Sequence, residues 1–194
     1  FMRAFKILLL ALLTALHASA QIPFYLASRD SSGWHPVEVV IQEAENHLGT
    51  PYRSAGKTPK GFDCAGFTRY CYSKLGITLA PYAGGQLPQG EEIKNTKQLR
   101  RGDLVFWGGR GGGKKNIGHV GIVVEVDTMR GSFRFIHSAT TGGIRYDYSE
   151  EPYYKKRYVG ACRIIPGATW VEPKPFMDQT LPIWKKHEYN IYPN

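Results

Sequence analysis

An α+β domain, with amino-terminal helices packed on a central antiparallel β-sheet, is what the order of segments predicts. Two amphipathic helical segments come first. Five short β-type runs follow Gly102, separated by turns rich in Gly, Asp and Thr. The length suits one such core, since domains commonly run about 100 to 150 residues.

The opening stretch, FMRAFKILLLALLTALHASAQ, carries Arg3 and Lys6, an apolar run from Ile7 to Leu16, and the small-x-small site Ala18-Ser19-Ala20. It reads as a secretory signal peptide over residues 1–20, because the run is shorter than the roughly 20 residues a membrane-spanning helix needs. The exported chain is expected to start near Gln21, to keep no stable membrane anchor, and to reach its domain through a short extension, residues 21–35. The formal net charge is +9, two units of which belong to Arg3 and Lys6. The remaining basic residues are scattered and form no long run with interleaved aromatics, which argues against a nucleic-acid groove and for a solvated surface or an anionic cell envelope.

From Pro36 to Leu48, PVEVVIQEAENHL predicts the first helix, with Pro at its first position, Gly49 just beyond its end, and Val37, Val40, Ile41, Ala44 and Leu48 on one face. A loop rich in Gly, Pro and Lys, GTPYRSAGKTPKGF, leads to Asp63, a good amino-terminal cap. The second helix is expected from about Cys64 to Leu75, with Gly76 as its stop. The predicted strands are 103–107, 119–126, 133–138, 144–148 and 158–164. The Gly-rich stretch GGRGGGKKN before His119 leads into a strand and lacks a GK[ST] ending, so it reads as a flap near a site and not as a phosphate cradle. Residues 166–194, rich in Pro and aromatics, are expected to form an extended arm, being too few for a core of their own.

Three cysteines follow the signal peptide: Cys64, Cys71 and Cys162. An odd number in an exported chain leaves a thiol unpaired, and pairing of Cys71 with Cys162 would make Cys64 the free one. Cys64 begins a helix, where exposed amides and the dipole favour a thiolate, whereas Asp63 opposes it, so a protonated imidazole is expected to pair with the sulfur. Cys71 lies two turns along the same helix and reads as core filler. Among six histidines, His119 and His137 each belong to an apolar strand. A hairpin with a loop of three to five residues near Thr128 would set them side by side. The pattern fits a nucleophile, Cys64, a general base and acid, His119, and an orienting residue, His137. Two other readings stay open at this point: satisfied core histidines beside a buried cysteine, and a zinc site using the same three residues, although no close ligand pair such as CxxC or HExxH is present.

The motifs GTPYRSAGKTPKGFDCAGF, RRGDLVFW, GHVGIVV, FIHSA and RYVGACRI occur in an order and spacing that resembles NlpC-type cell-wall cysteine peptidases, a papain-like family. The resemblance runs from Val37 to about Ile165 and delimits a catalytic domain of residues 36–165. It implies a papain-like fold and a hydrolase of amide bonds in peptidoglycan stem peptides; no cofactor or metal is expected, and the chain is expected to act as a monomer. The bond would be the D-glutamyl-diamino acid link or the crosslink, and the location the periplasm or cell envelope of a bacterium. The family's cysteine, histidine and third polar residue fall on Cys64, His119 and His137. Tyr52 matches a tyrosine that lines the site, and Asp63 an aspartate that in some members binds the stem peptide's amine. Where many members have serine after the cysteine, a residue that helps read a free L-alanine amine, this chain has Ala65. The same constellation would also serve a thioester-forming acyltransferase, and the basic charge would suit a wall-binding module with an idle site.

Overall fold

The structure, a computed structural model, describes residues 35–109 and 116–166. The expected signal peptide, the extension up to Trp34, the centre of the Gly-rich loop and the arm beyond Pro166 lie outside the described residues.

Two helices meet one face of a six-stranded sheet, as the order of segments predicts. The helices are α1 (Pro36–Glu45) and α2 (Cys64–Ser73), and between them lies a short hairpin of β1 (Lys57–Thr58) and β2 (Gly61–Phe62). There follow a one-turn helix α3 (Ala83–Gln86), then β3 (Glu91–Ile93), β4 (Leu104–Gly108), β5 (Ile117–Asp127), β6 (Ser132–Ala139), β7 (Gly143–Tyr148), α4 (Pro152–Arg157) and β8 (Tyr158–Arg163). The sheet order is β3-β8-β4-β5-β6-β7, every neighbouring pair antiparallel.

Successive strand residues point to opposite faces, and here both faces are covered. Leu104, Phe106, Val120, Ile122 and Ile136 pack against Val40, Ile41, Phe67 and Tyr72 of the two helices. Val105, Trp107, Val123, Phe135 and Ala161 form a second cluster closed by Tyr154 of α4. Double coverage explains why the central strands read as near-continuous apolar runs, VGIVV and FRFI, rather than as a clean alternation.

α1 is shorter than its sequence pattern, ending at Glu45, and Leu48 is exposed rather than on the buried face. The chain turns away at Gly49, where φ is +80°. α2 ends at Ser73, with Gly76 in the left-handed region two residues past the Lys74 cap. The thiols of Cys71 and Cys162 are both buried and free, so the pairing considered from their number is not formed.

The start of α2 is clamped from three sides. Asp63 caps it, its Oδ1 accepting from the Gly66 amide at 2.6 Å, while the Asp63 amide donates to the Gly56 carbonyl at 2.9 Å. Buried Gln86 donates to the Ala65 carbonyl at 3.2 Å and accepts from Thr68 Oγ1 at 2.8 Å, fixing the first turn against α3. The hydroxyl of Ser138 on β6 donates to the Phe62 carbonyl at 2.8 Å, two residues ahead of Cys64. A Cβ at Gly66 would come within 2.0 Å of the Gly56 carbonyl oxygen, so the loop backbone lies directly against this turn. Gly66→Ala should therefore lower stability by roughly 1–3 kcal/mol through forced backbone displacement, measured by denaturant unfolding.

Candidate active site

Cys64 stands at the first position of α2, half-buried. Its Sγ hydrogen-bonds the Gly118 carbonyl at 3.9 Å, and the amide of Val120 also acts on the sulfur. The thiol thus lies against the β5 backbone on both sides of His119. Among the described residues it makes no hydrogen bond to an imidazole nitrogen.

The hairpin of β5 and β6 turns through residues 128–131, within the expected length and place. In its register Ile122 faces Ile136, so His137 falls opposite Gly121 and stands diagonal to His119. The diagonal step brings His119 Nε2 to 2.7 Å from His137 Nδ1. Gly121 makes this possible, because a Cβ there would lie 2.9 Å from the Phe135 ring and 3.2 Å from the His137 Cβ.

A second diagonal step crosses to β7. His137 pairs with Arg145, and Asp147, two residues on, lies on the same face. His137 Nε2 meets Asp147 Oδ2 at 2.8 Å. The same carboxylate oxygen accepts from Tyr154 Oη of α4 at 2.5 Å and from Arg145 Nη2 at 2.8 Å and Nε at 3.1 Å. Trp107, Phe135 and Tyr154 wall the two imidazoles, with ring centroids 5.6 Å from Trp107 to His119 and 5.0 Å from Phe135 to His137. Sequence reasoning found Cys64, His119 and His137 but missed Asp147, Tyr154 and Arg145. The signal available for Asp147 was a pair of opposite charges, Arg145 and Asp147, two residues apart and so on one face of a predicted strand.

Tyr52 is held one step from the thiol by pairing of its segment with Phe62, where the Arg53 amide donates to the Phe62 carbonyl at 2.9 Å. Burial raises the Tyr52 hydroxyl, and the nearby Cys64 and Asp63 charges raise it further. The other candidate, Asp63, uses one carboxylate oxygen as the helix cap. Ala65 is buried, 4% exposed.

The electrostatics correct one expectation. Burial, reinforced by Asp63, pushes the Cys64 thiol up to about 11, against the pull of the amides of Val120, Ala65 and Cys64 itself. Burial, with His137 beside it, pulls His119 down to about 3. Burial also lowers His137, with Asp147 opposing. Burial works to raise Asp147, but hydrogen bonds from His137 and Tyr154 outweigh it and keep the carboxyl below its ordinary range. Both shifts favour a neutral thiol and a neutral imidazole over the thiolate and imidazolium expected from the helix dipole, because removing charge from water works against the dipole's pull. As for the zinc reading, the two histidines spend their facing nitrogens on each other, and no group of three His, Cys, Asp or Glu among the described residues is placed to hold a metal ion.

Comparison with known proteins places this arrangement. Murein DD-endopeptidase MepS/murein LD-carboxypeptidase of Escherichia coli (strain K12) is 34% identical over 127 residues, covering 65% of this chain and 62% of that protein. Gamma-DL-glutamyl hydrolase of Bacillus subtilis (strain 168) is 34% identical over 126 residues, covering 64% of this chain and 28% of that one. The chain thus spans less than two thirds of the length of these curated relatives. A crystal structure of an NlpC/P60 family protein from Bacillus cereus superposes with a TM-score of 0.60 at 30% identity, over 67% of this chain and 40% of that one. Its likeness supports the papain-like cysteine peptidase fold expected from the motifs. The NlpC/P60 family model matches residues 49–163, more than half of the chain, and the chain belongs to the NlpC/P60 family.

Proposed function

We propose that this protein is a cysteine peptidase that hydrolyses amide bonds in peptidoglycan stem peptides, either the D-glutamyl-diamino acid bond or the crosslink. Its single most telling support is the hydrogen-bonded file His119, His137, Asp147, set beside the thiol that opens α2. The names of the relatives, a murein endopeptidase and a gamma-DL-glutamyl hydrolase, point to the same substrate class.

In this reading the catalytic domain is residues 36–165, exported and acting as a monomer without a cofactor. Substrate binding turns the Cys64 thiol from the Gly118 carbonyl toward His119, whose Nδ1 is the nitrogen not used by His137. The proton passes to the imidazole as sulfur attacks the amide carbon, so charge separates only within the reacting complex. The Cys64 amide at the helix start donates to the oxyanion, a contribution of roughly 3 kcal/mol in comparable enzymes. His119 then protonates the leaving amine, and water releases the acyl group from the sulfur. Tyr52 lines the approach. The free oxygen of Asp63 faces the substrate's amine, with Ala65 offering no hydroxyl beside it.

Purified muropeptides incubated with the full chain and resolved by mass spectrometry should each yield a free acid and a free amine. Cys64→Ala and His119→Ala should reduce cleavage by about 10⁴-fold or more while leaving the far-ultraviolet circular dichroism unchanged. Turnover retained by the folded Cys64→Ala protein would remove the assignment. Because burial pushes the Cys64 thiol up to about 11, iodoacetamide labelling of Cys64, followed by peptide mass spectrometry, should quicken about tenfold per pH unit from pH 7 to 10. A rate already level below pH 8 would instead reveal a preformed ion pair.

A further inference from the structure

We infer that Asp147 is a positioning residue that sets the tautomers of both imidazoles, so that the nitrogen His119 turns to the thiol is the one without a proton. This rests on the peptidase reading for its consequence, but the proton placement itself follows from donors and acceptors alone.

A carboxylate can only accept hydrogen bonds, so the nitrogen 2.8 Å from Asp147 Oδ2, His137 Nε2, must carry a proton. A neutral imidazole has one N–H, which leaves His137 Nδ1 as an acceptor. The partner 2.7 Å from it, His119 Nε2, must then be the donor. Having its proton on Nε2, His119 keeps a bare lone pair on Nδ1. One buried charge thereby dictates the basic nitrogen two residues and two strands away. Burial of both rings keeps each imidazole neutral, so the assignment is not blurred by a second proton.

Two further donors make the carboxylate dependable. Tyr154 Oη at 2.5 Å and Arg145 at 2.8 Å and 3.1 Å converge on the same oxygen. Each stabilises the ionised acid, which is the form that cannot donate. They also anchor it from two directions, α4 and β7, so the Asp147 side chain has no other orientation that satisfies them.

Removing the acid reverses the logic. In Asp147→Ala that acceptor is gone, and the Tyr154 hydroxyl, 3.4 Å from His137 Nε2, is freed to donate to that nitrogen. His137 must then hold its proton on Nδ1 and donate to His119 Nε2, which forces the His119 proton onto Nδ1, the face the thiol needs.

The test is nitrogen-15 NMR of the full chain with labelled histidine, which separates protonated from bare ring nitrogens, alongside steady-state kinetics on muropeptides. In the unaltered protein, Nε2 should be the protonated nitrogen of both His119 and His137. In Asp147→Ala both protons should move to Nδ1, and kcat should fall on the order of 10³-fold with KM little changed, as expected for a misplaced proton rather than a lost binding contact. A proton on His119 Nδ1 in the unaltered protein overturns the inference, and that measurement stands even if the variant fails to fold. Ring signals identical in the variant and the unaltered protein overturn it equally, whatever happens to kcat. An unaltered protein with both protons on Nε2 that cleaves no muropeptide would sink the peptidase reading and leave this one intact.

Discussion

The site depends on a single strand step in β6. Neighbouring residues of a strand face opposite sides of the sheet, and here each of two neighbours holds one half of the machinery. Ser138 points to the helical side and grips the Phe62 carbonyl, which sets where α2 begins and so where the sulfur sits. His137 points to the other side and grips His119. Nucleophile and base come from distant parts of the chain, yet both are referenced to the same few ångströms of backbone. A buried hydroxyl-to-carbonyl bond is worth only about 1 kcal/mol net. Its value here is geometric, since it ties a loop of little regular structure to the most extensively paired part of the fold.

Across the sheet the polar file climbs as a staircase. His119, His137 and Asp147 lie on three adjacent antiparallel strands, each displaced two residues from the position directly opposite the last. Diagonal neighbours on one face are within reach of long or aromatic side chains, so the spacing suits imidazole-to-imidazole and imidazole-to-carboxylate contacts. Trp107, Phe135 and Tyr154 pack around the file, whose His137 and Asp147 end is buried. Low local polarity strengthens each hydrogen bond and at the same time disfavours free charge, which is why the acidic end of the file is heavily bonded and the thiol end is neutral.

Much of this was legible in the residues. α2 announced itself through Asp63 and Gly76, and the five long strands through their apolar runs, because caps and periodicity are local signals. Cys64, His119 and His137 stood out because each occupies a position where its residue type is unusual. What stayed hidden depended on register and on short elements. Asp147 acquires its meaning only once β6 and β7 are aligned so that Arg145 faces His137, and no local pattern fixes that alignment. Tyr154 sits on α4, a helix of six residues between strands, too short to show a period. The β1–β2 hairpin, β3 and α3 were missed for the same reason: two to four residues carry no periodicity to read. Burial pushes the thiol up where helix position alone favours the anion, and helix position is visible in a sequence while burial is not. An exposed helix end contributes only about 0.3–1 kcal/mol to a nearby anion, less than the cost of drying it.

Gly121 carries a further consequence. It contributes no donor, acceptor or charge, yet it sits where the two imidazole-bearing strands must almost touch. At this position a methyl group would meet the Phe135 ring at 2.9 Å and the His137 Cβ at 3.2 Å, so adding one would push the paired strand residues aside. A place occupied by a lone hydrogen atom therefore sets how closely the two imidazoles can approach, and the reactive side chains depend on a residue that has none.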